Sequence, residues 1–136
     1  MTSDAQASLI LETLELVAER VGDPTPLVYA ELFRQQPEMK AMFINDKDGS
    51  VGGHMLSEAL DGIMDFVGIR NYSDNLIRAE IVNHENLGVP PQVFATFFAV
   101  IRDSFRNELG AEWTVEMDAA WNVLLSEISA TIPQHA

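Results

Sequence analysis

The stretch Asn83–Phe94, NHENLGVPPQVF, joins two helical patterns and decides how the chain folds. A histidine lies near the end of the first pattern, and Gly88, Pro90 and Pro91 follow it within a few residues. Proline has no amide hydrogen to donate and glycine adds no side-chain packing, so this segment ends one helix and starts another. His84 is therefore either a fixed ligand beside a break or a polar residue at a helix end.

Length and composition predict one globular domain. The chain has 136 residues, 47% of them hydrophobic, which suffices for a single core. Its apolar runs are far shorter than the roughly 18 residues that cross a membrane. The N-terminal stretch has no basic leader typical of an export signal. We expect a cytoplasmic domain over residues 1–136, with a frayed tail after residue 132.

Cysteine content and charge exclude several classes of site. Because the chain has no cysteine, it forms no disulfide, zinc–thiolate site or thiolate haem ligand. Its formal net charge is −13, whereas binding to phosphates requires clustered lysine and arginine. The charge therefore argues against nucleic acid and against an anionic membrane surface as partners.

Apolar residues recur at a spacing of three to four, whereas no alternating pattern is long enough to predict a strand. This periodicity predicts an all-α fold of six or seven helices. The first helix has its apolar stripe at Ile10, Leu14, Val17, Ala18 and Val21. Its acidic residues, Glu12, Glu15 and Glu19, form a solvated face and not a metal cluster.

Glycine, proline and small polar residues predict where helices begin and end. Gly22-Asp23-Pro24 ends the first helix, Gln36-Pro37 ends the second, and a short helical piece follows over Met39–Phe43. Another helix runs from about Asp74 to Asn86. The predicted N-caps are Thr25, Ser50, Ser73 and Thr114.

Three segments, in this order and separation, resemble the globins. They are VYAELFRQQPEMKAMF at 28–43, NHENLGVPPQVF at 83–94 and LGAEWTVEMDAAWNVLL at 109–125. The resemblance covers Leu9 to Ile132 and is closest to single-domain bacterial haemoglobins and the haem domain of flavohaemoglobins. It implies an all-α, globin-like fold that encloses one b-type haem.

On the proximal side, His84 matches the histidine that ligates iron in globins. A neutral imidazole there would bind the metal and leave the opposite face open for a gas. The backbone carbonyl of Glu80, one turn earlier, is the expected acceptor for the other ring nitrogen. Val89 and Phe94 match proximal pocket walls.

On the distal side, Phe43 matches the phenylalanine that stacks on globin haem, and Leu56 matches an apolar pocket wall. Tyr29 matches the distal tyrosine of bacterial haemoglobins. A phenol donor could stabilise a gas ligand that carries partial negative charge by about 1.5–3 kcal/mol. The alternative is a packed tyrosine whose hydroxyl bonds to the backbone.

The usual distal polar position has two possible registers. Counting from Phe43 places it at Gly53, whereas counting back from His84 places it at Gly52. Neither glycine offers a side chain to a ligand. The adjacent His54 is a candidate at the pocket mouth, with exposure to solvent as its alternative.

The resemblance implies reversible binding of a diatomic gas, oxygen first, with nitric oxide and carbon monoxide as chemical alternatives. A second hypothesis is a nitric oxide dioxygenase served by a separate reductase. Phe94, at a position where flavohaemoglobins have a tyrosine, argues against it. A third is a haem-free sensor or scaffold globin. A homodimer stays open as an assembly, and the candidate partners of haem propionates are Lys47, Arg70 and Arg78.

Overall fold

The structure is a computed structural model, and it describes residues 3–43, 49–67 and 91–131. Within these ranges the chain forms five α-helices and two short 3-10 helices, with no strand. The α-helices are α1 (Asp4–Val21), α2 (Thr25–Gln35), α3 (Ser50–Val67), α4 (Pro91–Leu109) and α5 (Val115–Thr131). The 3-10 helices are Pro37–Phe43 and Gly110–Glu112. The all-α prediction is confirmed, and the helix predicted near Asp74–Asn86 lies outside the described residues.

Helix ends follow the local chemistry of a few residues. Ser3 caps α1 in a reciprocal box with Gln6, each side chain accepting the other residue's backbone amide at 3.1 Å. Gly22 ends α1 with a φ of 71°, a conformation that side chains with a Cβ disfavour. Thr114 caps α5 as predicted, because its hydroxyl accepts the amide of Met117 at 3.0 Å.

Two predicted caps are wrong by one position. Thr25 is the first residue of α2 and not its cap. Asp23 instead accepts both the amide of Thr25, at 3.0 Å, and its hydroxyl, at 2.7 Å. These bonds, the hydroxyl first, hold the pKa of Asp23 below its usual value. Ser50 likewise opens α3 itself, and the preceding Gly49 accepts the amide of Gly53 through its carbonyl.

The core forms where α1 packs on α5 and where α2 packs on α4. Helices α3, α4 and α5 contribute large apolar side chains to it, and each fully buried one contributes about 1.5–3 kcal/mol. The largest buried side chains in the described ranges include Trp121, Phe105, Ile10, Leu56, Ile63, Ile101 and Leu124.

The stripe predicted for α1 is only partly right. Ile10 and Val17 are buried and Leu14 is half-buried, whereas Ala18 and Val21 are exposed. Thr13 occupies the core in their place, with no exposed surface. The acidic face is confirmed, since Glu12, Glu15 and Glu19 are all exposed.

A lipid bilayer sets a minimum length of apolar helix. In the part of the chain that the structure describes, no helix combines the length and the apolarity that a membrane span requires.

Candidate functional site

Four aromatic rings from three elements meet beside the start of α3. Tyr29 and Phe33 project from α2, Phe43 from the first 3-10 helix and Phe97 from α4. The ring centroids of Tyr29 and Phe43 lie 5.2 Å apart in an edge-on arrangement, and those of Tyr29 and Phe97 lie 5.8 Å apart. Phe33 lies 6.0 Å from Tyr29 and 5.8 Å from Phe43. At these separations aromatic pairs attract beyond the burial of their area, so the cluster fixes the ring of Tyr29.

The hydroxyl of Tyr29 is the polar group of this aromatic cluster. It donates a hydrogen bond of 2.9 Å to the main-chain carbonyl of Gly52. Tyr29 is 8% exposed, so this bond lies away from bulk water. The bond joins α2 to α3 across 23 positions of sequence. A buried hydroxyl without a partner would be costly, and the carbonyl removes that cost.

The first turns of α3 place both glycines of the two distal registers close to α2. Gly52 is buried and Gly53 is half-buried. A Cβ built on Gly53 would lie 3.8 Å from the hydroxyl oxygen of Thr25, an ordinary contact. One turn after Gly52, Leu56 is 2% exposed and belongs to the core. At Gly53 the contact between α2 and α3 therefore leaves room for a Cβ.

His54 lies on the outer side of α3. Its side chain is 73% exposed, and its Nε2 lies 3.1 Å from a carboxylate oxygen of Glu58. The two residues are four apart, a spacing that puts side chains on the same face of a helix. Contact between His54 and a ligand inside the fold would require the imidazole to leave Glu58 and turn inward.

The remaining site predictions fall outside the described residues. These are His84 and Val89, the side chain of Phe94, and the propionate candidates Lys47, Arg70 and Arg78. Within the described ranges, no group of three or more histidine or acidic side chains is arranged to hold a metal ion. The four described arginines bind or pair with protein groups, which are Glu31, Asp103, Glu112, Asp118, Asn122 and the carbonyls that end α4.

The described residues have the chemistry that one side of a haem requires. A porphyrin requires apolar walls, and the aromatic cluster with Leu56 supplies them at the junction of α2, α3 and α4. The phenol of Tyr29 adds a donor in an apolar setting. The iron also requires an axial ligand, and His54, the single histidine in the described ranges, is exposed and paired with Glu58. A histidine ligand to iron would therefore have to be His84 or His135, which lie outside the described residues.

The sequence did not predict a second buried polar group on α2, the carboxylate of Glu31. Glu31 is 8% exposed, and its carboxylate accepts hydrogen bonds from Arg34, Gln35 and Asn107. The bonds from Arg34, foremost, lower the pKa of Glu31, and the same pair raises the pKa of Arg34. Gln35 also donates to Asp103 at 3.0 Å, so the network joins α2 to α4. The spacing of Glu31 and Arg34, three apart on one helix, was the available signal.

Comparisons with known proteins agree with this architecture. The family model described as Globin matches residues 26–132, most of the chain. Comparison with curated proteins gives no match, and neither does comparison with solved structures. The matched segment begins at the start of α2 and contains the aromatic cluster, Gly52 and His84. This chain belongs to the globin family, whose members typically bind haem.

Proposed function

We propose that this globin holds one b-type haem through the imidazole of His84 and reversibly binds a diatomic gas, oxygen first. One observation carries the proposal: a phenol donor, Tyr29, is buried among phenylalanine rings at the junction of three helices. In such low-dielectric surroundings a hydrogen bond to a polarised ligand is stronger than it would be in water. Membership of the globin family supplies the haem expectation.

Haem would supply a ferrous iron that can bind the gas and donate electron density to it. Tyr29 would stabilise the resulting partial negative charge by donating its hydroxyl hydrogen, at about 1.5–3 kcal/mol. The packing of Phe33, Phe43 and Phe97 around the phenol holds the donor in one place. Leu56 and Phe43 would exclude water from the same volume, and Val89 and Phe94 would complete the walls on the proximal side.

The placement of α3 supports Gly52 as the distal position. The carbonyl of Gly52 is the group that meets Tyr29, and Leu56, four residues later, is buried where an apolar wall is required. The alternative that makes His54 distal would put Glu58 at the wall position. The side chain of Glu58 is 40% exposed and faces the imidazole of His54. Within the family we propose that the chain is most similar to the single-domain bacterial haemoglobins and the haem domain of flavohaemoglobins, because Tyr29 corresponds to the distal tyrosine of bacterial haemoglobins.

The test is an absorption spectrum of the protein expressed with haem supply, compared with that of the His84→Ala variant. We expect an intense Soret band that shifts with carbon monoxide in the wild type and is lost or greatly weakened in the variant. A His84→Gly variant should regain the band when free imidazole is added, because the added ring can replace the missing ligand. His135→Ala, which removes a histidine from the tail, is the matched control.

Two other results would change the assignment. A chain that folds without any carbon monoxide-responsive band, and whose unfolding is unchanged in His84→Ala, would be a haem-free globin. Rapid nitrate formation from nitric oxide and oxygen, sustained by an added reductase, would instead make the protein an enzyme. Stable, slow exchange of oxygen without nitrate formation is the result expected here.

A further inference from the structure

Resting on the proposed function, we propose that the main-chain carbonyl of Gly52 determines which gases the site holds tightly. It does so by competing with the ligand for the hydroxyl hydrogen of Tyr29. A gas would gain from this phenol only if it accepts a hydrogen bond more strongly than a backbone carbonyl does. Gly52 would then be a specificity-determining residue that acts through its backbone.

The geometry of the bond supports the competition. The hydroxyl of Tyr29 lies 2.9 Å from the carbonyl oxygen of Gly52, within the normal range for such a bond, and the pair is buried. A phenol has one hydrogen to donate. When that hydrogen points at Gly52, the same hydroxyl cannot donate it to a ligand.

The carbonyl can release the hydroxyl at low cost. A carbonyl oxygen has two lone pairs, and within a helix the backbone ladder uses one of them. Gly52 lies in the first turns of α3, so its oxygen keeps a role in the ladder after Tyr29 leaves. The phenol also keeps a partner, since it moves from one acceptor to another. Exchange therefore leaves no buried donor without an acceptor, and it is reversible.

The aromatic cluster determines how the exchange takes place. Contacts with Phe33, Phe43 and Phe97 hold the ring of Tyr29 from several sides. The hydroxyl hydrogen can still rotate about the bond between Cζ and Oη without displacing the ring. With glycine at position 52, no side chain supplies a polar group to the ligand, and the main chain supplies the competing acceptor.

This competition predicts a selective effect of removing the hydroxyl. A hydrogen bond to a ligand with partial negative charge contributes about tenfold to a hundredfold in affinity. To donate to oxygen, the hydroxyl of Tyr29 must give up its neutral hydrogen bond to Gly52, which reduces the gain in affinity by a few-fold. Tyr29→Phe should therefore release oxygen roughly tenfold faster than wild type. Carbon monoxide is a weak, nearly neutral acceptor. Its dissociation rate should change by less than about twofold, because the hydroxyl stays with Gly52.

The first measurement requires neither gas nor haem. Tyr29 and Tyr72 are the two tyrosines of the chain, so Tyr72→Phe leaves one phenol to observe. In this background, the ultraviolet Raman bands of the remaining tyrosine in the gas-free full chain should be those of a phenol that donates to a carbonyl. Bands of a non-donating phenol would overturn the proposal.

The second measurement uses the haem-loaded chain with carbon monoxide and oxygen. The infrared stretching band of carbon monoxide should coincide in wild type and Tyr29→Phe, while the two proteins differ in oxygen release as stated. A carbon monoxide band that moves in Tyr29→Phe would show that the hydroxyl already reaches a neutral ligand, and would overturn the role of Gly52. If Tyr29→Phe changed the dissociation rates of oxygen and carbon monoxide by the same factor, the role of Gly52 would also be overturned. A purely structural change affects the release of both gases alike. Absence of any carbon monoxide-responsive band would instead remove the proposed function and this inference together.

Discussion

The indole nitrogen of Trp121 donates a hydrogen bond of 2.9 Å to the hydroxyl of Thr13, joining α5 to α1 across 108 positions of sequence. Both residues are fully buried. The hydroxyl in turn donates to the carbonyl of Ile10 at 2.6 Å, so each polar atom of this pair has a partner. The Trp121 ring also packs at right angles to Phe105, with 6.1 Å between centroids. The bond therefore satisfies the single polar atom of the largest side chain in the core.

Replacing Thr13 by valine should destabilise the fold. Valine keeps the shape of threonine but leaves the buried indole N–H of Trp121 without an acceptor, at a cost of about 1–3 kcal/mol. Urea denaturation would measure the free energy of unfolding. Thr96→Val is the control, because Thr96 accepts a hydrogen bond from Gln36 at a half-buried position where water can replace it. An equal loss in both variants would contradict a special role for the buried pair.

The sequence predicted helix positions better than it predicted which residues the helices bury. Proline and glycine act locally, so the ends of α1 and α2 and the start of α4 were predicted correctly. The burial of Thr13 could not be predicted from periodicity, because it depends on a tryptophan from the other end of the chain. The caps at Thr25 and Ser50 were misplaced by one residue, because each of these residues is the first residue of its helix.

Gly53→Ala should stabilise the protein. Gly53 lies inside α3, its φ is not positive, and an added Cβ would meet the hydroxyl of Thr25 at an ordinary 3.8 Å. Alanine restricts the unfolded chain and favours a helix, so we expect a gain of about 0.5–1 kcal/mol. Thermal and urea unfolding would both detect it.

The matched control for this gain is Gly49→Ala. Gly49 precedes the same helix with a φ of 77°, a left-handed conformation, and has no heavy atom within 4 Å of an added Cβ. The strain would therefore come from the backbone alone, and we expect a loss of about 1 kcal/mol. If Gly53→Ala proved as destabilising as Gly49→Ala, the close packing of α2 and α3 would be tighter than the structure shows.

Part of the candidate site could be predicted from the sequence, and part could not. The order of the three globin-like segments identified the family and selected Tyr29 and Phe43 as pocket residues. That their rings lie 5.2 Å apart was not predicted. The acceptor of the Tyr29 hydroxyl could not be derived, because it depends on the crossing of α2 and α3. Counting residues across the corner left two registers, whereas the contact between Tyr29 and Gly52 supports one. The roles of His84, Val89 and Phe94 stay predictions.

Leu56→Ala should weaken both the fold and the proposed haem site. The side chain is 2% exposed in α3, and truncating a buried leucine costs about 2–5 kcal/mol through lost burial and the cavity that remains. Since Leu56 is a proposed pocket wall, the variant should also lose haem faster to a competing apoprotein. Met64→Ala on the same helix is the control, because Met64 is 43% exposed. Similar haem loss from both variants would argue that Leu56 belongs to the core and not to the pocket.

Glu31 links α2 to α4 through groups that favour its charged form. Arg34 donates to both carboxylate oxygens, at 3.2 and 3.1 Å from its Nε, and Gln35 donates at 2.8 Å. Asn107 reaches the carboxylate from α4 at 3.4 Å. The side chain of Arg34 is 69% exposed, so salt should screen that ion pair, whereas the bonds from the amides depend little on salt.

Glu31→Gln should make the fold less sensitive to acid. Because the pKa of Glu31 is lowered in the folded protein from its ordinary value of 4.5, its contribution to stability is present above that pH. It is lost as the pH falls through the folded pKa. We expect the variant to be less stable than wild type by about 1–2 kcal/mol at neutral pH. This difference in the free energy of unfolding should shrink as the pH falls below 4.5. Urea denaturation between about pH 3 and about pH 7 would measure the free energy of unfolding of wild type and variant. The control is Glu12→Gln, which removes the same charge from an exposed position on α1. The free energy of unfolding of this variant should stay within about 0.5 kcal/mol of that of wild type. A difference between wild type and Glu31→Gln that stays constant over this range would show that the hydrogen bonds to Glu31 do not depend on its charge.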